Sequence, residues 1–547
     1  MMTRIRSLAW LLLALWALVF AWGADAPAAE EGPATGSGAA DGGDLPAFQF
    51  SLSAQAPPGG GAAGTAYAVS LKETILLALK NNLDVTIEGF NPRIREMDIT
   101  TARAAFDPVF TADASASRTR TRNNTAAFIP GSQLTSDSRS FTFNFKLTDK
   151  LPTGATTELK WTNLRSRTNS VSTAINPAYT TGLTATVTQP LLKNFGIDIN
   201  RTSIRLATNN RDIARNTLKA KIFDVVTNAQ FAYFDLVSAL ETQEVQRRSL
   251  ALARELVDLN KARVRAGVAA PVEVIQAEAQ AAAREQDVLT AEKAVRDAED
   301  NLRIILNLPA GALGWEGTLV PAERPAFEVV ATDLAGSVRT ALIKRVELDA
   351  AKLDVANREL SVRLARNQLL PDLAIVGSAG LAGLDGSRRT RGGWVTEGGE
   401  GSSLGEMTSG RFNNWSAGLA LTVPLGNRAA EAGYTQTTLQ EQQSRASLRN
   451  LELQITAQVR EAVRRIETNA KRVESARVAR GLAEEQLRIE QQRLRAGVTT
   501  TFNVLQFQRD LTAAQAVEVQ AVNDYQKSLA NLEKVRGTVL EKFQIEL

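Results

Sequence analysis

The chain has 547 residues, 44% of them apolar and 22% charged, which is the composition of a folded protein rather than a disordered tail. It contains no cysteine and no histidine, which excludes disulfides, thiol nucleophiles, imidazole catalysis, most transition-metal sites and a bacterial lipoprotein anchor, so no cofactor is expected. Its 63 basic and 59 acidic residues nearly balance and alternate along helical faces, which argues against a nucleic-acid partner.

In chain order, "MMTRIR" followed by "LAWLLLALWALVFAW" predicts a signal peptide over residues 1–24, because the apolar run is shorter than the roughly 20 residues of a spanning helix. An Ala-, Gly- and Pro-rich leader is expected over 25–66. Residues 67–309 and 334–537 then read as two copies of one unit, joined by a connector at 310–333 and followed by a tail at 538–547. Setting Pro108 against Pro371 places Leu71 on Leu334, Ala78-Leu79 on Ala341-Leu342 and Ala102-Arg103 on Ala365-Arg366 without a gap.

Strands are predicted where side chains alternate with period two. Phe141, Phe143, Phe145 and Leu147 alternate with Thr142, Asn144, Lys146 and Thr148, and Trp415, Ala417, Leu419, Leu421 and Val423 repeat the pattern. Six strands are expected: Val109–Arg120, Phe141–Thr148, Thr156–Thr162, Leu183–Gln189, Asp372–Leu381 and Asn414–Val423. A tight turn is expected at "DKLPTG", and long polar loops at "NNTAAFIPGSQLTSDS" and "GLDGSRRTRGGWVTEGGEGSSLGEMTSGR". Aromatic residues near strand ends, and lengths close to those of tilted membrane strands, favour lipid-facing strands over a soluble sandwich.

Each half continues into a very long helix, where Ile222, Val226, Ala229, Tyr233 and Leu236, and again Ile455, Val459, Val463 and Ile466, step by three and four. The predicted hairpins span 200–307, with a tip at 266–271, and 427–537, with a tip at 496–501. Both tips carry one phrase, "RVRAGV" and "RLRAGV", in which Gly267 and Gly497 suit a left-handed helix end and the arginines suit the helix C-terminus. Pro271 and Thr500 are placed to start the return helices.

This duplicated order, with the exits "QPLL" and "VPLG" and the tips "RVRAGVAAPVEVIQ" and "RLRAGVTTTFNVLQ", resembles the TolC-like outer-membrane efflux proteins over about Val69 to Leu540. The resemblance implies an α+β membrane protein: a homotrimer with a transmembrane β-barrel in outer-membrane lipid, continued by a periplasmic α-helical coiled-coil barrel. It implies a non-enzymatic channel, docked to a periplasmic adaptor and an inner-membrane transporter of RND, ABC or MFS type, in efflux or type I secretion. Arg263, Arg265, Ala266, Gly267 and Val268, with Arg493, Arg495, Ala496, Gly497 and Val498, are then the expected adaptor-docking tips.

The family's usual count is four strands per protomer, so six would give a wider barrel. A second departure falls at the periplasmic gate. In the family's best-known member, aspartates six and nine residues beyond the second tip glycine form rings that bind cations, and a tyrosine and an arginine of the closing network flank that glycine. Here those positions hold Asn503 and Gln506, and Leu494 and Thr499, while Glu273 is the acid six residues after Gly267. A gate of amides is expected, with a ring of Glu273 as the competing arrangement. A pore-free periplasmic scaffold would explain the helices alone, but not the lipid-type strands; a carboxylate enzyme would need paired acids, and no such pair repeats.

Overall fold

The computed structural model describes residues 66–122, 135–170, 172–308, 317–324, 326–390, 393–396 and 398–545. The predicted signal peptide and nearly all of the leader lie outside these residues, as does most of the first polar loop. In chain order the elements are β1 (Ala66–Val69), α1 (Leu71–Asn81), α2 (Leu83–Arg103), β2 (Val109–Arg122), β3 (Thr135–Lys150), β4 (Thr156–Thr168), β5 (Ile175–Pro190), α3 (Ile197–Asn200), α4 (Thr202–Arg265) and α5 (Pro271–Leu306). There follow β6 (Thr318–Pro321), α6 (Leu334–Lys344), α7 (Val346–Gln368), β7 (Asp372–Thr390), β8 (Gly393–Thr396), α8 (Glu400–Thr408), β9 (Asn413–Thr422), α9 (Arg428–Arg495), α10 (Thr501–Arg536) and α11 (Val539–Phe543). The same interval of 263 residues separates Leu71 from Leu334, Leu83 from Val346 and Val109 from Asp372, and 230 separates the ends and starts of the later helices.

The described chain divides into two compact units, one built on residues 96–209 and 356–442, the other on 66–95, 210–355 and 443–545. In the first unit, six long strands form one antiparallel sheet in the order β2-β3-β4-β5-β7-β9, and β8 pairs with the far end of β7. The turn between β3 and β4 closes as expected, with the Gly154 N–H donating to the Leu151 carbonyl at 2.9 Å and Gly154 at φ +95°. Because "FTFNFKLTDKLPTGATTELKW" supplies β3 and β4, it lies inside this sheet, between β2 and β5.

Registers align one apolar row across all six strands: Phe110, Leu147, Leu159, Ala185, Ala379 and Trp415. The next row on that face holds Ala112, Phe145, Trp161, Leu183, Leu381 and Asn413. The opposite face holds Thr111, Lys146, Lys160, Thr184, Gly380 and Asn414 in register. A sheet so divided presents hydrocarbon to one side and hydrogen-bonding groups to the other.

The strands run longer than predicted. Residues 135–140, 163–168, 175–182 and 382–390 all join the ladder. Their serines, threonines and arginines keep the two-residue period without the apolar contrast that signals it. The second predicted loop is likewise structured: Gly383–Thr390 prolongs β7, and α8 packs on β7 and β5. Gly383 permits this approach, since a Cβ there would lie 2.0 Å from the Ser403 carbonyl oxygen. The Glu406 carboxylate accepts from the Leu384 N–H at 2.8 Å, capping β7 where neither β8 nor β9 reaches.

In the second unit, the helical hairpins bury heptad seams. On α9 the buried positions step by four and three, as in Ile455, Val459, Ala462 and Ile466 and again in Ala483, Leu487, Glu490 and Leu494, the spacing of a coiled coil. Uninterrupted, the 64 residues of α4 and 68 of α9 reach about 96 and 102 Å. No helix among the described residues is long and apolar enough to cross a membrane.

The connector and the tail are both packed. β6 pairs in parallel with β1, and Val539 and Leu540 of α11 enter the core around Ile75, Val226 and Leu302. Two buried tyrosines pin the connector: Tyr233 donates to the Glu323 carbonyl at 3.1 Å, and Tyr525 donates to the Glu328 carbonyl at 2.7 Å while accepting from the Val330 N–H at 3.1 Å. Tyr525→Phe removes both bonds, and because Glu328 and Val330 are exposed their backbone groups can turn to water, so the change is expected to cost about 0.5–1.5 kcal/mol, read as a lower unfolding temperature. An unchanged melting curve would show that this part of the connector is held by Phe327 packing and by the Gln526 amide, which donates to the Ala326 carbonyl at 2.9 Å.

Candidate docking and gating sites at the hairpin tips

Each tip ends its helix in the same way. The Val268 N–H donates to the Arg263 carbonyl and the Val498 N–H to the Arg493 carbonyl, both at 3.0 Å. Gly267 and Gly497 donate to Val264 and Leu494, completing two Schellman motifs. The glycines stand at φ +74° and +75°, with no atom within 4 Å of an added Cβ, so backbone geometry rather than crowding requires them. Pro271 begins α5, as expected. Thr500 takes the N-cap position of α10, but its hydroxyl makes no capping bond.

The tips are exposed and apolar. Val268 and Val498 are 67% and 65% exposed, and Ala266, Arg265, Ala496 and Arg495 are exposed beside them. The return helices prolong each surface through Val272 and Ile275 on α5 and Phe502 on α10. Sequence reasoning passed over these three, although Val272 and Ile275 stand three residues apart on the first turn of α5. The arginines are not equivalent: Arg263 lies 3.6 Å from Glu273, Arg493 donates to Glu490 at 3.1 Å, and Arg265 donates to the Lys261 carbonyl of its own helix.

The gate positions separate into two groups. Leu494 is buried with Leu256, Leu487 and Val504. Thr499 donates to the buried Glu490 carboxylate, and the Asn503 amide donates to the Thr499 hydroxyl at 3.0 Å. Gln506 donates to Asp510 at 3.1 Å. Asn503, Gln506 and Asp510 therefore form one stripe along α10, and Asp510 is an acid that the count from Gly497 did not reach. Glu273 does not share this stripe. Its carboxylate accepts from the Thr501 hydroxyl at 2.7 Å in the seam between hairpins, where Asn260 is fully buried. That carboxylate is already engaged within one protomer. Among the described residues no group of three or more acids is arranged to hold a metal ion.

The chain spans 64% of the length of a curated relative, Nodulation protein T of Rhizobium leguminosarum bv. trifolii, at 23% identity over 327 residues, which are 57% of this chain. Among solved structures, the Campylobacter jejuni CmeC outer membrane channel superposes with a TM-score of 0.60 at 16% identity, covering 93% of this chain and 94% of that one. The outer membrane protein VceC from Vibrio cholerae gives 0.59 at 17% identity, covering 85% and 96%. These two share the fold. The family profile named Outer membrane efflux protein matches residues 74–308 and 338–538, taking in both hairpins and both sets of long strands. With most of its length matched, this chain belongs to the outer membrane efflux protein family.

Proposed function

We propose that this protein is the outer-membrane channel-tunnel of a tripartite export system, built from two tandem copies of one unit and giving passive passage once docked to a periplasmic adaptor and an inner-membrane transporter. The two-faced six-stranded sheet carries this reading, because only closure into a barrel gives its apolar face to lipid and its polar face to water. Both edge strands, β2 and β9, are exposed along their whole length. Three copies would join these edges into a barrel of eighteen long strands.

The neighbouring helices support the same seam. Leu83, Ile87, Phe90, Ile94 and Met97 form a stripe on α2 that is 40–64% exposed, and α2 leads into β2. β9 leads into α9, where Ala432, Leu439, Ala446 and Leu453 stand exposed at seven-residue intervals. A second copy pairing its β9 with β2 would lay one stripe on the other, burying surface worth about 25 cal/mol per Å². Ile87→Glu with Ile94→Glu is therefore expected to abolish heat-modifiable trimers. Persistence of trimers in the double variant would place the seam elsewhere, and release of the unmodified protein from membranes by alkali would overturn the channel itself.

Lys146 and Lys160 are neighbours on the polar face. In a trimer they bring six positive charges to the lumen wall, and Asp113 and Glu158, one row away on the same face, bring six negative ones, so the channel should discriminate little between anions and cations. Replacing both lysines with glutamate leaves acids alone at these four positions and is expected to shift the reversal potential in a salt gradient toward cation selectivity; an unmoved potential would put these lysines outside the conducting path.

A further inference from the structure

Past its apolar rows, the sheet carries a band of arginine on the same face. The registers set Arg118, Arg139 and Arg167 side by side across β2, β3 and β4. Arg120 and Arg122 continue along β2, while Arg165 stands one row nearer the apolar band, between Phe141 and Tyr179. Strand alternation puts all six on the face of Phe110, Phe143 and Trp161. The opposite face of the same strand ends carries hydroxyls instead, among them Ser117, Thr119, Ser138, Ser140 and Ser166. On these three strands, among the described residues beyond Phe141, Asp137 is the one acid; Arg118 donates to it from Nε at 3.0 Å, and Arg139 lies 3.9 Å away. Six arginines against one carboxylate leave a strong positive excess, and the Arg118 and Arg139 side chains remain 52% and 61% exposed.

The position of the band is as telling as its charge. Five residues separate α2 from β2, which ends at Arg122, so the arginines occupy the strand ends remote from α2 and from the long helices of the hairpins. At about 3.4 Å per residue, the stretch from Leu147 to Phe141 on β3 places roughly 20 Å of apolar strand before the first arginine row. At the junction a cleft of about 230 Å³ is lined by Phe141, Phe143, Asn163, Arg165, Tyr179 and Glu400. The Arg165 guanidinium lies 5.8 Å from the Tyr179 ring, and α8 closes one side through Glu400. Within the cleft Arg165 is balanced by Glu400, and the positive excess lies just beyond it in the row of Arg118, Arg139 and Arg167; apolar rows below this cationic band match the polarity order of a phosphorylated lipid.

We propose that this arginine band binds the phosphate groups of glycolipids in the outer leaflet, whose acyl chains lie on the apolar rows beneath. The inference rests on the reading of the sheet as a barrel wall with its long hairpin helices on the periplasmic side. Arginine suits the task because its planar fork takes two phosphate oxygens at once, and its long stem can follow apolar surface while the head stays at the interface. A soluble polyanion is the poorer fit, since it would have to lie against the lipid-facing side of the wall.

The test uses full-length protein extracted from outer membranes in mild detergent, with co-purified phosphorylated glycolipid counted per protein by mass spectrometry. Replacing Arg118, Arg139, Arg165 and Arg167 together with serine is expected to lower that count at least about tenfold, whereas Lys146→Ser with Lys160→Ser, on the other face, should not change it. Arg→Lys at the same four positions keeps the charge and is expected to retain an intermediate amount; it also serves if the serine variant does not assemble. In phosphatidylcholine vesicles, the unmodified protein should enrich phosphorylated glycolipid but not its dephosphorylated form. Equal retention by the serine variant overturns the proposal, as does equal enrichment of the dephosphorylated lipid. Binding of inorganic phosphate as strong as that of the lipid would make it a free-anion site and also overturn it. Failure of the functional reading looks different: the unmodified protein would then be missing from the outer-membrane fraction.

Discussion

Valine at both Gly267 and Gly497 is expected to abolish export while trimers still insert in the outer membrane. Each glycine sits at positive φ with open space around it, so the added side chain meets no neighbour and the whole penalty falls on the backbone. That penalty is about 1–2 kcal/mol per site for an L-residue in the left-handed region. Relief comes from unwinding the tip, which breaks the bonds from Val268 to Arg263 and from Val498 to Arg493. The exposed set of Val268, Val272, Ile275, Val498 and Phe502 then loses its geometry, and adaptor docking should fail with it. The cores around Val226, Leu302, Ile455 and Tyr525 contain no tip residue, so folding and assembly should survive. In vivo crosslinking to the adaptor, export assays and heat-modifiable migration on one double variant separate these effects. Crosslinking and export at unmodified levels would reduce the phrase to a helix cap.

What could be read in the sequence follows from how local each signal is. A glycine after a long apolar period marks a helix end without help from the rest of the chain, and both tips fall where Gly267 and Gly497 put them. The alternation from Phe141 to Leu147 is equally local, and it sits in the sheet as expected. The outer strand ends were illegible because "SDSRS" and "RSRT" alternate hydroxyl with charge, which hydropathy does not distinguish from a loop. Glycine and serine in Gly383–Arg411 concealed a strand extension and a helix that depend on long-range contact, such as Thr181 with Ser403 at 3.0 Å. For the gate, spacing from Gly497 singled out Asn503 and Gln506 as candidates, and the structure places both on one face of α10. It could not show that Glu273 turns toward Thr501, a residue 228 positions away.

That turn bears on the second large effect: the channel should show little block by divalent cations. Carboxylates crowded around an axis attract such ions strongly in a low-dielectric mouth, whereas amides offer only dipoles. Asn503 and Gln506 are amides, and their own bonds run to Thr499 and Asp510. A ring of Glu273 is disfavoured because its carboxylate accepts from Thr501 and faces Arg263, so freeing it would cost a buried contact. Asp510 stands two turns beyond Asn503 on the same stripe, already receiving the Gln506 amide, and it is the acid best placed to compete. Planar-bilayer conductance separates the cases. The unmodified channel is expected to resist micromolar divalent or trivalent cations, and Asn503→Asp is expected to confer block by restoring a carboxylate where the family places one. Micromolar block of the unmodified channel would refute the amide gate. Its disappearance with Asp510→Asn would then assign the ring to Asp510, and its disappearance with Glu273→Gln would assign it to the first hairpin.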